Sequence, residues 1–477
     1  MKAPFSPWLA AQAEPLKELI ASLSSHYDYV SALASDSRGF RVVASQRNRF
    51  VDRRTMTTER GIVVRVHRDG LYSEYAFNAD DLRDVHALAA RMRRILDEQL
   101  GVLAAVGVRV YDTPGLEDTP LTIYAEMETD TLPEDADLET LMKTLQSYSD
   151  RAVSRDERII ECQAQLSSTH VNKMFLTAHR DERQSYVYSE GTIAVIGSAD
   201  GRTEMVREGA SGRTGVQVID ELAETIDGAI DDVLKMLHAD RVIPGEYEIV
   251  TTPEVSGLIA HEAFGHGVEM DMFVKGRALG AEYIGKRVGS DLVSMHEGAK
   301  CVVDVASYAF DDEGTPAGDV TEIDHGILRT GICDALAALR LGTLPTGNGK
   351  RENFEHKVYT RMTNTMFDSG KDTREEMIAS VKKGYLLEGM YSGMEDPKHW
   401  GIQCIIARGR EIIDGKLTGK MVAPVVMTGY VPDLLGSISM VSGDRCSYGN
   451  GACGKGHKEW VKVSDGGPYL KARARLG

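Results

Sequence analysis

The hydrophobic positions of this chain repeat with two periods. Leu16, Leu19, Ile20 and Leu23 share one face of a helical wheel, as do Leu82, Val85, Leu88, Ala89, Met92, Ile95 and Leu96. Leu222, Ile226, Ile230, Val233 and Leu237 repeat the pattern. These stripes predict a surface helix opening near residue 15, a helix over 80–100 that stops at Gly101, and a long one over 218–237, with a further helix at about 138–148. Between them the period falls to two. Residues 61–66 and 71–77 flank Asp69-Gly70, the signature of a hairpin. Ile160, Cys162, Ala164 and Leu166 alternate with Glu161, Gln163 and Gln165, which predicts a strand with one wet face and Cys162 turned inward as a small hydrophobe. Residues 186–188 and 193–196, with Asp200-Gly201 after them, continue an antiparallel sheet.

Ile243-Pro-Gly245 breaks the chain after the long helix. The expected organisation is therefore α+β: an N-terminal α+β domain with an antiparallel sheet, residues 1–240, and a largely β C-terminal domain, residues 241–477. In the second part, 302–309, 402–407 and 425–427 read as strands, and Asp414-Gly415 as a hairpin turn. Thr373-Arg-Glu-Glu376 is a capping box for one helix, which carries Met377, Ile378 and Val381 and ends at Gly384.

The stretch with the clearest chemistry is Leu258-Ile-Ala-His261-Glu262-Ala-Phe-Gly-His266-Gly-Val-Glu269. A strand over 247–251 leads into Thr251-Thr-Pro-Glu254, a capping-box start with proline in the first turn. Val255, Leu258, Ile259 and Glu262 then fall on one face, at the edge of the buried stripe. Imidazole is the commonest ligand for catalytic zinc, and a partly desolvated glutamate beside it suits a general base. The familiar device is His-Glu-x-x-His, and here the histidines are one residue further apart. In a regular helix, positions five apart lie ~140° round the wheel, too far to share an ion. The spacing therefore demands a wide π-type turn or an unwinding at Gly265. Gly265 and Gly267 make either inexpensive.

The formal charge of −17 argues against a nucleic-acid footprint or an anionic membrane surface. Six cysteines without a paired framework point to a reducing cytoplasm. The opening residues, interrupted by two prolines, are too short an apolar run for a signal peptide, and no window approaches the ~20 apolar residues of a membrane span.

A catalytic zinc usually takes three protein ligands. Gly449-Asn-Gly-Ala-Cys453-Gly-Lys455-Gly-His457 sets a thiol between positive neighbours in a glycine-rich loop, and Cys446 competes with it as third donor. That loop lacks the Lys-Ser/Thr of a P-loop. Asp311-Asp-Glu-Gly-Thr-Pro316 reads as an ordinary turn, and Thr346-Gly-Asn-Gly349 and Arg361-Met-Thr-Asn364-Thr365 as polar loops able to bond a peptide backbone.

In order, His261-Glu-Ala-Phe-Gly-His-Gly267, Asp312-Glu-Gly-Thr-Pro316, Thr346-Gly-Asn-Gly-Lys-Arg351, Arg361-Met-Thr-Asn-Thr365 and Cys453-Gly-Lys455 resemble the TldD branch of the TldD/PmbA metallopeptidases. The resemblance is specific from about residue 250 to 456. It implies zinc (Zn2+) on His261, His266 and Cys453, with Glu262 activating the water. It further implies a homodimer or a heterodimer with a sister TldD/PmbA subunit, and a channel that admits extended peptides. Where that family has a Gly-Gln pair after Cys-Gly-Lys, this chain has Gly456-His457-Lys458. The expected activity is a zinc-dependent peptidase acting on extended or unfolded peptides, with His457, Tyr448 or Lys455 as oxyanion donor. Two alternatives stand beside it: a non-catalytic binding or scaffolding subunit with structural zinc, and a metal-free cysteine hydrolase using Cys453 and His457.

Overall fold

The computed structural model describes residues 1–106, 112–457 and 459–477; Lys458, next to His457, lies outside them. Two sheets carry an α+β fold. In the first, Ile159–Leu176 lies between Tyr29–Ala44 and Arg180–Ala199, antiparallel to both. Glu59–Arg68 and Leu71–Phe77 form the expected hairpin, with Asp69 and Gly70 at φ of 54° and 76°. Leu121–Glu126 joins in parallel, so the sheet is not purely antiparallel.

Strand alternation sends residues of opposite parity to opposite faces. One face meets four helices. Pro7–Ser24 and Val85–Ala105 share a core with Val30, Val64 and Met174, while Leu138–Arg155 and Val218–Met236 share another with Leu166 and Val195. The other face, through Leu33, Val63, Phe175, Tyr186 and Tyr188, packs against Val305, Tyr308, Phe310 and Ala317 from the second half. No helix among the described residues is long and apolar enough to cross a membrane.

The second sheet is mixed and is organised on the strand Ser464–Leu476. Gly245–Thr251, Val425–Tyr430 and Met440–Tyr448 pair with that strand antiparallel, and Asn364–Phe367 in parallel. Helix Pro253–Ile259 lies across it, and its Val255, Leu258 and Ile259 enter one core with Ile249, Phe367 and Leu470.

Several local expectations change. The helix Val85–Ala105 runs through Gly101, because an exposed glycine lowers helix stability only by about 1 kcal/mol while Leu96 and Leu100 are buried. Ile160 is exposed rather than inward, since a bulge between Ile159 and Glu161 shifts the alternation, whereas Cys162 is buried as expected. Residues 302–309 form no strand; the side chains of Asn364 and Gln184 take up the backbone of Val302 and Ala309. Thr251 bonds Ser256 instead of capping, while the box of Thr373 and Glu376 is complete.

Asp312 and Glu313 are not an ordinary turn. Glu313 pairs with Arg65 and accepts the Ala335 amide at 2.6 Å, and Asp312 pairs with Lys173, so this segment ties the two sheets together. Arg65 also reaches Glu74 at 2.7 Å, and both Arg65 and Glu313 are buried. Arg65→Ala leaves buried Glu313 without its cation and should lower the unfolding free energy by about 3–5 kcal/mol in denaturant titrations.

Candidate metal centre

Helix Pro253–Ile259 widens at Ala260–Gly265 into a π-type turn, in which the His266 amide donates to the carbonyl of His261. A bond spanning five residues brings the two imidazoles to the same side. Their ring centroids are 5.1 Å apart, with planes at 87°. Gly265 permits the turn to pack, since a Cβ there would stand 2.2 Å from Sδ of Met362.

Cys453 approaches from a two-stranded hairpin, Ala452–Lys455 against Glu459–Lys462. One ligand atom each from His261, His266 and Cys453 lies within 4.8 Å of the others. Nε2 of His266 is 3.4 Å from Sγ of Cys453. Two nitrogens and a sulfur form a donor set that fits zinc. The electrostatics agree. Burial pushes the Cys453 thiol up, but the facing His266 and His261 outweigh it and hold the thiol well below its ordinary value. Burial pushes both imidazoles down, yet Cys453 holds His266 well above its ordinary value and His261 at about 9. Nδ1 of buried His261 has no hydrogen-bond partner.

The groups behind the cluster orient it. Nδ1 of His266 meets Oε2 of Glu269 at 3.1 Å, leaving Nε2 toward Cys453. Glu269 is buried, 3.1 Å from Nζ of Lys455, and Lys455 also donates to Asp271 at 2.7 Å. Arg361, buried, donates to the carbonyls of Cys453 at 2.5 Å and Glu459 at 3.0 Å. The run 361–365 thus bonds a backbone, and it is the chain's own. Thr363 and Thr365 clamp buried Glu297.

Glu262 enters a cleft of about 1600 Å³, lined also by His261, His266, Cys453 and residues of both sheets. Its carboxylate is 4.0 Å from Nε2 of His266. Strand Lys383–Asp396 crosses directly over it, because Gly393 has no side chain: a Cβ there would come 2.3 Å from Cγ of Glu262.

His457 stands apart. It is exposed at the hairpin turn, after Gly456 at φ 63°, and is not among the cleft's lining residues. Lys455 is turned to Glu269 and Asp271, while Tyr448 and Cys446 line the cleft. Residues the sequence did not single out also converge here. Burial pushes the carboxyls of Glu395 up to about 9 and of Asp465 up to about 7. Neither oxygen of Glu395 has a partner. Neither residue belongs to a local motif; sheet pairing alone delivers them.

The raised Glu395 carboxyl has a measurable consequence in metal-free protein. The folded state keeps a proton that the unfolded state releases above its ordinary value of 4.5, so folding takes up a proton and stability falls as pH rises toward about 9. Glu395→Gln should match wild type below pH 4.5 and become increasingly more stable above it, in denaturant titrations across that range.

Comparison with known proteins bears on the same region. Residues 244–474 match the PmbA/TldA metallopeptidase C-terminal domain. A metalloprotease TldD homolog of Haemophilus influenzae is 30% identical over 335 residues, covering 67% of this chain and 68% of that protein. A metalloprotease of Synechocystis is 25% identical over 490 residues, 98% of each chain. A zinc metalloprotease TldD homolog of Saccharolobus solfataricus is 29% identical over 247 residues, 50% of this chain and 53% of that one. The crystal structure of TldE from Thermococcus kodakarensis shares the fold with a TM-score of 0.71 at 16% identity, covering 97% of this chain and 100% of that chain.

Proposed function

This chain belongs to the TldD/PmbA metallopeptidase family, and we propose that it is a zinc-dependent peptidase acting on extended or unfolded peptides. The observation that carries this reading is the convergence of His261, His266 and Cys453 within 4.8 Å on the wall of a cleft that also receives Glu262. Zinc bound there supplies a Lewis acid that polarises a peptide carbonyl and makes water easier to deprotonate. Glu262, steadied by the crossing strand at Gly393, takes the proton of the attacking water and returns it to the leaving amine. His457 has no part in this reading, because its turn carries it out of the cleft. That exposure also weighs against a Cys453–His457 hydrolase. A structural zinc needs a fourth protein ligand, and among the described residues the cluster offers three donors.

The extended form of the substrate is supported by a strand edge. Pairing of Lys383–Asp396 with Gly245–Thr251 ends at Leu387, and the residues beyond it run along the cleft. An edge of this kind binds a peptide backbone through main-chain hydrogen bonds and tolerates many sequences. Assembly as a homodimer, or with a sister TldD/PmbA subunit, is part of this proposal. A cytoplasmic setting, consistent with six free cysteines, and a boundary between two units at residues 240/241 belong to the same proposal.

Glu262→Gln should retain zinc and fold while hydrolysis of an unfolded peptide drops by at least about a hundredfold. Elemental analysis beside the assay checks it, and near-wild-type turnover removes Glu262 as the base. Cys453→Ala should lose most of one zinc per chain, and Cys446→Ala should keep it. The reverse order of zinc loss would assign the third donor to Cys446.

A further inference from the structure

The chain has three tryptophans. Trp400 is fully buried and Trp8 half-buried against the Arg60 guanidinium, but Trp460 leaves 42% of its surface open. Trp460 stands on Glu459–Lys462, directly across the hairpin from Gly454, the neighbour of Cys453. A Cβ on Gly454 would meet three atoms of the indole ring at 3.3–3.4 Å. The ring therefore covers bare backbone beside the candidate metal ligand, and Trp460 lines the cleft. A Cβ at position 454 would make the ring give by a few tenths of an ångström.

Exposed apolar surface recurs on the strand that crosses Glu262. Tyr391 is 40% and Met394 70% exposed, and both line the same cleft. A single exposed hydrophobe is ordinary. Three large ones on the walls of one cleft, which also receives the imidazole–thiol cluster and Glu262, give that cleft apolar surface suited to a ligand. A rigid indole supplies a flat contact of fixed geometry, and a methionine adapts to what lies against it.

We propose that Trp460 forms a subsite in this cleft for a large apolar side chain of the substrate peptide, aromatic or long aliphatic. This rests on the peptidase reading for the identity of the ligand as a peptide. Trp460 is then a specificity-determining residue, whose removal weakens the choice between peptides more than it weakens the chemistry.

The test uses zinc-loaded, full-length Glu262→Gln protein and two short tryptophan-free peptides, identical except that one has Phe where the other has Gly. The Phe peptide should bind about tenfold more tightly and protect Trp460 fluorescence from acrylamide, the Trp460 signal being taken as the difference from Trp460→Phe. In the Trp460→Ala background the preference should fall below about twofold, and in Trp460→Phe most of it should survive. Equal affinities, a preference intact in Trp460→Ala, unchanged quenching of Trp460, or no binding of either peptide overturns the subsite. Hydrolysis by wild type is scored separately. Protein that shows the preference but never cleaves overturns the peptidase reading alone, and protein that cleaves without the preference overturns the subsite alone.

Discussion

The site depends on one backbone bond, from the His266 amide to the carbonyl of His261. A regular helical ladder would point the imidazoles ~140° apart, and no side-chain rotation corrects that. The wide turn solves the problem and creates another, because it must be held in place. Gly265 lets Met362 press against it, and the next residue back, Arg361, grips the carbonyl of Cys453. The two donors on the turn and the donor on the hairpin are thus located by adjacent residues of one segment. A displacement of either side is transmitted through that segment.

Charge explains how such a cluster stays buried. Imidazoles in a dry site prefer to be neutral, and so does a thiol. Each offsets the desolvation of the other, which is why the thiol is shifted down and the imidazoles up. Glu269 neutralises the far side of His266, and its own burial is offset by Lys455 and Arg361. Glu395 has no comparable partner and keeps its proton instead. The same cleft therefore holds carboxyls in two conditions, set by whether neighbouring cations outweigh the effect of burial.

The first half of the chain is part of the site's architecture. Thr192, Arg207, Glu208 and Gly209 of the first sheet line the cleft opposite residues of the second. Arg408 crosses between the halves, meeting Asp232 at 2.9 Å and Glu388 at 3.2 Å, with Glu208 at 3.5 Å. Together with the Arg65–Glu313 and Lys173–Asp312 pairs, this ties the two halves of the chain to each other. A cleft between two sheets can be wide enough for a backbone and still bury the groups at its floor.

What could be read from residues alone was chemistry carried within one short segment. His261, Glu262 and His266 declare a site because three reactive groups fall within six positions, and their spacing requires the wide turn that is present. The α+β class was equally legible, since periods of two and 3.6 follow from which face is buried. Asp312 and Glu313 looked like a turn because their partners, Lys173 and Arg65, lie far away in the chain. His457 looked close to the site because it is four residues from Cys453, yet a hairpin turn carries it into solvent. Ile160 kept the alternation in sequence and lost it to a bulge. Arg361, Glu395 and Trp460 acquire their positions only through long-range packing and burial, because the pairing of distant strands is set by the summed packing of both faces and leaves no mark at any one residue.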